Sequence, residues 1–382
     1  MIYFDNASTH KPFDCVVKEI NLFNEKHFFN PSALYKEGID TSKIIERSRK
    51  IIADKLGVQS DEIYFTSSAT EANNWALLNG FKNKKGNVVI SQGEHASVFE
   101  CGNLLKSKGV EVRWVKLKND GTIDLEDLDK KIDNDTTLVS VIHASNETGA
   151  VNDIKLIGNL IKSKNVKTRF HSDGVAAFCK IDCINSALRD RGCDFYTISS
   201  HKVGGPKGVG ALYINKKINI GPFIVGGGQE RGMRSGTENT GAIIGFSKAV
   251  ACSCWVHSES EQQNNLARQI HDYIKNTLTQ NGWILNGSIN NTGYILSLSN
   301  PNIKAEILMR LLAEDGILIG LGSACANKLS QNRILNALGA TKAHIEGSIR
   351  LSFSPLNTMH EAKIVAQKIM EKQKILQGKS IK

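Results

Sequence analysis

A chain of 382 residues with 48 Lys and Arg against 38 Asp and Glu carries a formal charge of +10; at 41% hydrophobic and 23% charged it has the profile of a soluble globular protein with ample core. The charge is spread along the chain, its densest run is only Lys82 to Lys85, and no recognition module accompanies it, which argues against nucleic acid as the main partner. There is no leader-like start, no apolar run of membrane-spanning length and no zinc-type pairing among the eight cysteines (15, 101, 179, 183, 193, 252, 254 and 325), so a cytoplasmic protein of a reducing compartment, without a membrane, is expected.

Residues 1–12 begin apolar and pass into Asp5-Asn6-Ala7-Ser8-Thr9-His10, a polar loop able to bond backbone or ligand. Helical spacing is predicted from Cys15 to His27. Asn30-Pro31-Ser32 punctuates the chain, and Ile44, Ile45, Ile51, Ile52 and Leu56 mark an amphipathic helix over 41–56. A strand at 61–65 runs into Thr66-Ser67-Ser68-Ala69-Thr70-Glu71 and then a helix over 72–81. One Ser or Thr suffices to cap a helix; several in succession favour a start whose exposed N–H groups hold an anion such as phosphate.

Strands at 87–91, 111–115, 137–143 and 168–172 then alternate with helices at 97–108, 125–132 and 154–164. A short strand at 195–198 gives way to Ser199-Ser200-His201-Lys202, and a loop with Gly204, Gly205, Gly208 and Gly210 turns back into a strand at 211–214. This is not a nucleotide-binding P-loop, because the Lys-Ser/Thr pair is missing and a strand follows in place of a helix. Strands separated by helices predict an α/β fold with a mostly parallel sheet, helices on both faces and ligands at the carboxyl ends of the strands. His95, Asn146, Asp173 and Lys202 each follow one such strand, so four strands deliver polar chemistry to one rim.

A helix over 254–281 breaks the alternation. A turn at Asn286-Gly287, strands at 294–298 and 348–353 and helices at 305–314 and 360–374 read as a smaller α+β domain to which the N-terminal loop returns. The expected division is a large domain over 13–255 and a small one from 1–12 and 256–382. No internal repeat is present.

A lysine amine can hold an aldehyde, an aspartate can keep a pyridine nitrogen protonated, a histidine ring can stack on a cofactor and a helix start can bind phosphate; together these are the requirements of pyridoxal 5'-phosphate. Singly, His95 is explained as a turn residue and Asp173 as a cap. Ser-Ser-His-Lys-Val-Gly-Gly-Pro-Lys-Gly-Val-Gly-Ala-Leu-Tyr (199–213) and Gly-Gly-Gly-Gln-Glu-Arg-Gly-Met-Arg-Ser-Gly-Thr-Glu-Asn (226–239) closely resemble signatures of the NifS-type cysteine desulfurases, in the class V aminotransferase group. Residues 65–71, 93–95, 145–149, 322–325 and 348–350 match in the same order, so the resemblance covers nearly the whole chain.

The resemblance implies a large transferase domain of aminotransferase fold type I and the conversion of L-cysteine to L-alanine, with a persulfide left on Cys325. It implies that Lys202 bonds the cofactor aldehyde, Asp173 pairs with the pyridine nitrogen and His95 stacks on the ring and assists proton transfer. Ala69, Thr70, Ser199 and His201 would hold the phosphate, joined by Thr237 from the other subunit of a homodimer, with Ser200 also binding the cofactor. Asn146 would contact cofactor or substrate, and Arg350, helped by Asn30, would clamp the substrate carboxylate as a bidentate pair. Cys325, in the small-residue segment Leu321 to Lys328 suited to a mobile loop, would be the nucleophile, its alternative being an ordinary buried thiol. It would pass sulfur to an acceptor such as an iron–sulfur scaffold or a thiolation partner. No resident metal is expected, Cys325 being the residue that a transient cluster would meet.

Departures from the family pattern are Ala176 where Gln is usual, Phe29 for Gly, Tyr35 for His, His10 for Thr, and Ser354-Pro355 for a Gly-led turn. Ala176 means that one contact to the cofactor's phenolic oxygen is absent or supplied elsewhere. Selenocysteine or cysteine-sulfinate lysis, or a weakly active partner-binding homologue, are the other readings.

Overall fold

The computed structural model describes residues 1–81, 86–181, 188–252, 261–288, 291–321 and 332–378, with backbone only for 261–265. In chain order its elements are β1 (Ile2–Phe4), α1 (Asp14–Lys26), α2 (Lys36–Leu56), β2 (Ile63–Thr66), α3 (Ala69–Gly80), β3 (Asn87–Ser91), α4 (Ala96–Ser107) and β4 (Glu111–Val115). There follow α5 (Leu125–Lys131), β5 (Thr136–Ser140), α6 (Ile154–Lys164), β6 (Arg169–Asp173), β7 (Phe195–Ser199), β8 (Gly210–Ile214), α7 (Thr240–Ala251) and α8 (Glu261–Thr279). The described chain closes with β9 (Ile284–Leu285), β10 (Ile295–Ser299), α9 (Ala305–Glu314), β11 (Ile317–Leu321), α10 (Arg333–Ala337), α11 (Lys342–Glu346), β12 (Ser348–Ser352) and α12 (Met359–Leu376).

Local chemistry accounts for most boundaries. Ser68, Asp124, Asp153 and Thr358 each accept a backbone N–H at the start of α3, α5, α6 and α12. Helix α2 stops where Gly57 adopts φ 67°, a left-handed position that glycine takes without steric cost. It begins five residues before the apolar spacing does, because the one buried residue of its first turn is Gly38, which has no side chain to mark a face.

Five strands of the larger sheet are mutually parallel, in the order β7-β6-β5-β3-β4, and β8 lies antiparallel between β7 and β2. The antiparallel strand follows from the short 200–209 loop, which leaves no room for a crossover helix. Side chains alternate between two cores. Val88, Ile90, Leu138, Phe195 and Leu212 pack under α3 and α4, whereas Val89, Val139, Phe170, Tyr196, Ala211 and Tyr213 pack against the other helices. The expected mostly parallel α/β sheet with helices on both faces is thus present.

A second sheet, β1-β11-β12-β10-β9, has its own core, in which Phe4, Leu296, Leu308, Ile349 and Ile369 are buried. The N-terminal residues do return to it: β1 pairs in parallel with β11, Phe4 opposite Ile319. Short α10, α11 and β9 are not marked in the sequence, and neither are two further elements. Helix α7 is buried along nine of its twelve residues, so it has no wet face to set a period, and Gly320 interrupts the strand signal of β11. Among the described residues no helix is long and apolar enough to cross a membrane, and no cluster of potential metal ligands is present.

Candidate active site

The carboxyl ends of the parallel strands meet at a cavity of about 210 Å³. Asp173 is the last residue of β6; Ser199 ends β7, and a single tight turn, Ser200–Lys202, carries His201 and Lys202. His95 caps α4 beyond β3, and Asn146 follows β5. The first residues of α3, Ala69 and Thr70, close the wall together with Ser68, Ile142, Val175 and Ala176.

Each side chain is held by its surroundings. Asp173 is 2% exposed; its carboxylate accepts from the Val175 amide at 3.0 Å and from Asn73 Nδ2 at 2.8 Å. Those bonds leave lone pairs open for a further donor. Asn73 also donates to Ser97 Oγ at 2.8 Å, linking α3 to α4 beneath the cavity. The ring of His95 takes the Ser97 N–H on Nδ1 at 3.2 Å, which puts its own proton on Nε2. Desolvation, with Lys202 and Arg333 nearby, holds its pKa below the ordinary value against the pull of Asp173. The neighbouring His201 is pushed down to about 4 by burial and then by Lys202, Lys180 and Lys207, so both rings are neutral at neutral pH. Lys202 Nζ donates to the carbonyls of Ala7 and Ser8, each at 2.6 Å, and His201 pairs with Thr9 Oγ1 at 3.1 Å. The N-terminal loop is therefore part of the site.

This donor set fits pyridoxal phosphate. The first amides of α3 have no acceptor within the helix and sit where its dipole favours a phosphate, Asp173 suits a pyridinium, and an amine stands across the cavity. Asn146 Oδ1 is buried without a hydrogen-bond partner, an acceptor waiting for a donor. Ala176 faces the cavity beside Ile142, so that part of the wall is apolar. The fit depends on Gly210: a Cβ there would lie 2.7 Å from the Ser68 carbonyl carbon and 2.9 Å from the Ala69 nitrogen. Gly210→Ala is expected to destabilise the fold by about 1–3 kcal/mol and to weaken cofactor retention, read by denaturant melts and pyridoxal phosphate titration.

The structure thus gathers Ala69, Thr70, His95, Asn146, Asp173, Ser199, His201 and Lys202 around one space. Arg350 stands beside it, not on its wall: Nη1 donates to the Asn146 carbonyl at 3.0 Å and Nη2 to Asp5 Oδ1 at 2.9 Å. Gly320, paired with Arg350 across β11 and β12, makes room, since a Cβ would come within 2.6 Å of Asp5 Oδ1. Ser200 departs from its expected place. It is fully buried, and its Oγ would lie 2.1 Å from a Cβ on Gly205, so the tight turn aims it away from the cavity. Asn30 is exposed and bonds the Ser32 amide, and Thr237 is exposed; neither lines this cavity within one chain. Cys325 lies outside the described residues.

Sequence reasoning missed Asn73 and the Ala7 and Ser8 carbonyls. A buried polar residue one turn into α3 was the only available sign of the first; backbone carbonyls leave none.

Comparison with known proteins agrees with this geometry. Residues 2–365 match the aminotransferase class-V family. The chain is 36% identical to a protein named cysteine desulfurase IscS 1 from Archaeoglobus fulgidus, over 94% of this chain and 93% of that one. A solved NifS-like protein superposes with a TM-score of 0.91 at 33% identity, covering 98% of this chain and all of the other. A structure described as SspA in complex with cysteine gives a TM-score of 0.80 at 30% identity over 93% of this chain and 99% of that one. With strand ends, helix start and lysine all in place, the chain belongs to the class-V aminotransferases, whose cofactor is pyridoxal phosphate.

Proposed function

We propose that this protein is a cysteine desulfurase that converts L-cysteine to L-alanine and carries the released sulfur as a persulfide on Cys325. The observation that carries the reading is the convergence of Lys202, Asp173, His95 and the α3 N-terminus on one cavity, with Arg350 beside it. The names of the relatives, one of them held in complex with cysteine, supply the substrate class.

When bound, pyridoxal phosphate supplies an electron sink that eases loss of the substrate's α-proton and of its sulfur. The chain's own groups do the rest. The Ala69 and Thr70 amides, with Ser199 and His201, would hold the phosphate, Asp173 would pair with the ring nitrogen and His95 would lie against the ring. Lys202 would be the amine that holds the cofactor's aldehyde end and would move protons at Nζ; in the structure that Nζ donates to the Ala7 and Ser8 carbonyls. Arg350 takes the substrate carboxylate, in exchange for or alongside Asp5. In the overall reaction the Cys325 thiolate forms a bond to the substrate sulfur and the carbon–sulfur bond breaks. Carbon keeps that bond's electron pair and is protonated, so cysteine plus thiol gives alanine plus persulfide with no outside redox partner.

Within this reading residues 13–255 hold the cofactor, while 1–12 and 256–382 bring Arg350 and Cys325. The exposed Thr237 serves the phosphate of a second copy in a homodimer. The acceptor is an iron–sulfur scaffold or thiolation protein of the cytoplasm, where thiols stay reduced.

The test is production of alanine and sulfide from L-cysteine with added pyridoxal phosphate and reductant. Cys325→Ala is expected to keep the bound-cofactor absorbance and lose at least about 100-fold in alanine formation. Full activity in that variant would defeat the persulfide route and favour selenocysteine or sulfinate lysis.

A further inference from the structure

Arg333 opens α10, directly after Asn332 at φ 73°, and its guanidinium reaches across to the turn that bears His95. Nη1 donates to the Gln92 carbonyl and Nη2 to the Glu94 carbonyl, while the guanidinium plane lies over the Phe99 ring, 4.1 Å from its centre. Gln92 and Glu94 flank Gly93, and Phe99 sits one turn into α4, its amide bonded to the His95 carbonyl at 3.0 Å. One side chain therefore grips the backbone just before His95 and covers an aromatic ring one turn after it.

That grip bears on the ring, because the residues it holds lead straight into the His95 turn. The His95 imidazole is fixed to its own helix start through Ser97, so its attitude over the cavity follows the path of residues 92–97. A fork of donors on two carbonyls fixes that path in a way that a single point charge does not. We propose that Arg333, from the small-sheet side of the molecule, is a positioning residue that sets the orientation of His95 against the cofactor ring. It does not line the cavity. The proposal rests on reading the cavity as the pyridoxal phosphate site, and wild-type protein that showed no bound-cofactor absorbance would overturn that reading instead.

The experiment is a double-mutant cycle on the holoenzyme with Arg333→Met, Arg333→Lys and His95→Ala. Arg333→Met is expected to shift the absorbance of bound pyridoxal phosphate, to raise its half-saturating concentration about tenfold and to lower kcat about tenfold, with KM for L-cysteine within about twofold. Arg333→Lys recovers part of this, since an ammonium serves one carbonyl at a time. In a His95→Ala background Arg333→Met adds less than about twofold, because the ring through which it acts is gone. The same tenfold loss in that background, or an unchanged spectrum and cofactor affinity in the single variant, overturns the proposal. Should Arg333→Met fail to fold, Arg333→Lys is read through the same cycle against the same criteria.

Discussion

Replacing Lys202 by Ala is expected to lower alanine formation by at least about 10⁴-fold and to remove the absorbance band, near roughly 420 nm, that bound pyridoxal phosphate gives. The same amine both anchors the cofactor and moves protons, so one substitution removes two functions that nothing else on the cavity wall can combine. The fold should survive. The two carbonyls that lose a donor belong to the Ala7–Ser8 loop, where water can replace the ammonium, so the cost to stability is about 1 kcal/mol. Single-turnover assays with and without a small added amine would show whether only the proton-moving part is restored. Undiminished turnover would remove Lys202 from the chemistry.

Asp173→Asn is the second large effect. The substitution preserves shape: an amide oxygen can still accept from the Val175 N–H, and the amide NH2 then meets Asn73, which can turn its unpartnered Oδ1 to accept, so the end of β6 should hold. What is lost is charge. An opposite charge in contact favours a protonated ring by about 1–3 pKa units, and each unit is a decade in the equilibrium, so kcat/KM should fall by about 10- to 10³-fold. Cofactor titration and steady-state rates at one pH measure both consequences. A change within about twofold would mean that the ring nitrogen finds its partner elsewhere.

Much of this was readable from residue order, for a physical reason. Parallel strands buried on both faces alternate between two cores, and the alternation with helices places their ends on one rim, so a polar residue just past a strand exit stands out. Asp173, Lys202 and His95 stood out in that way. Helix α7 did not, because burial all round erases the contrast that makes a helix visible. Lys202's resting partners were invisible for a different reason: they are backbone oxygens, identical in every residue. Ser200 was misjudged because one residue of a tight turn changes direction by about 120°, and pattern reading does not resolve that. Arg333 lies far along the chain from His95, and only tertiary structure brings a guanidinium to that turn.

The joining of the two chain ends has a consequence for biosynthesis. Residues 2–4 find their β-partner only in 317–319, and the loop that receives the Lys202 amine hangs from that pairing. At about 5–20 residues per second a ribosome takes roughly 15–60 s to reach the later segment after making the first. Throughout that interval the nascent N-terminus presents an unsatisfied strand edge, and the amine lacks its resting place. Vitamin loading is therefore expected only after β11 has been made, and a product cut short before that strand would not keep it.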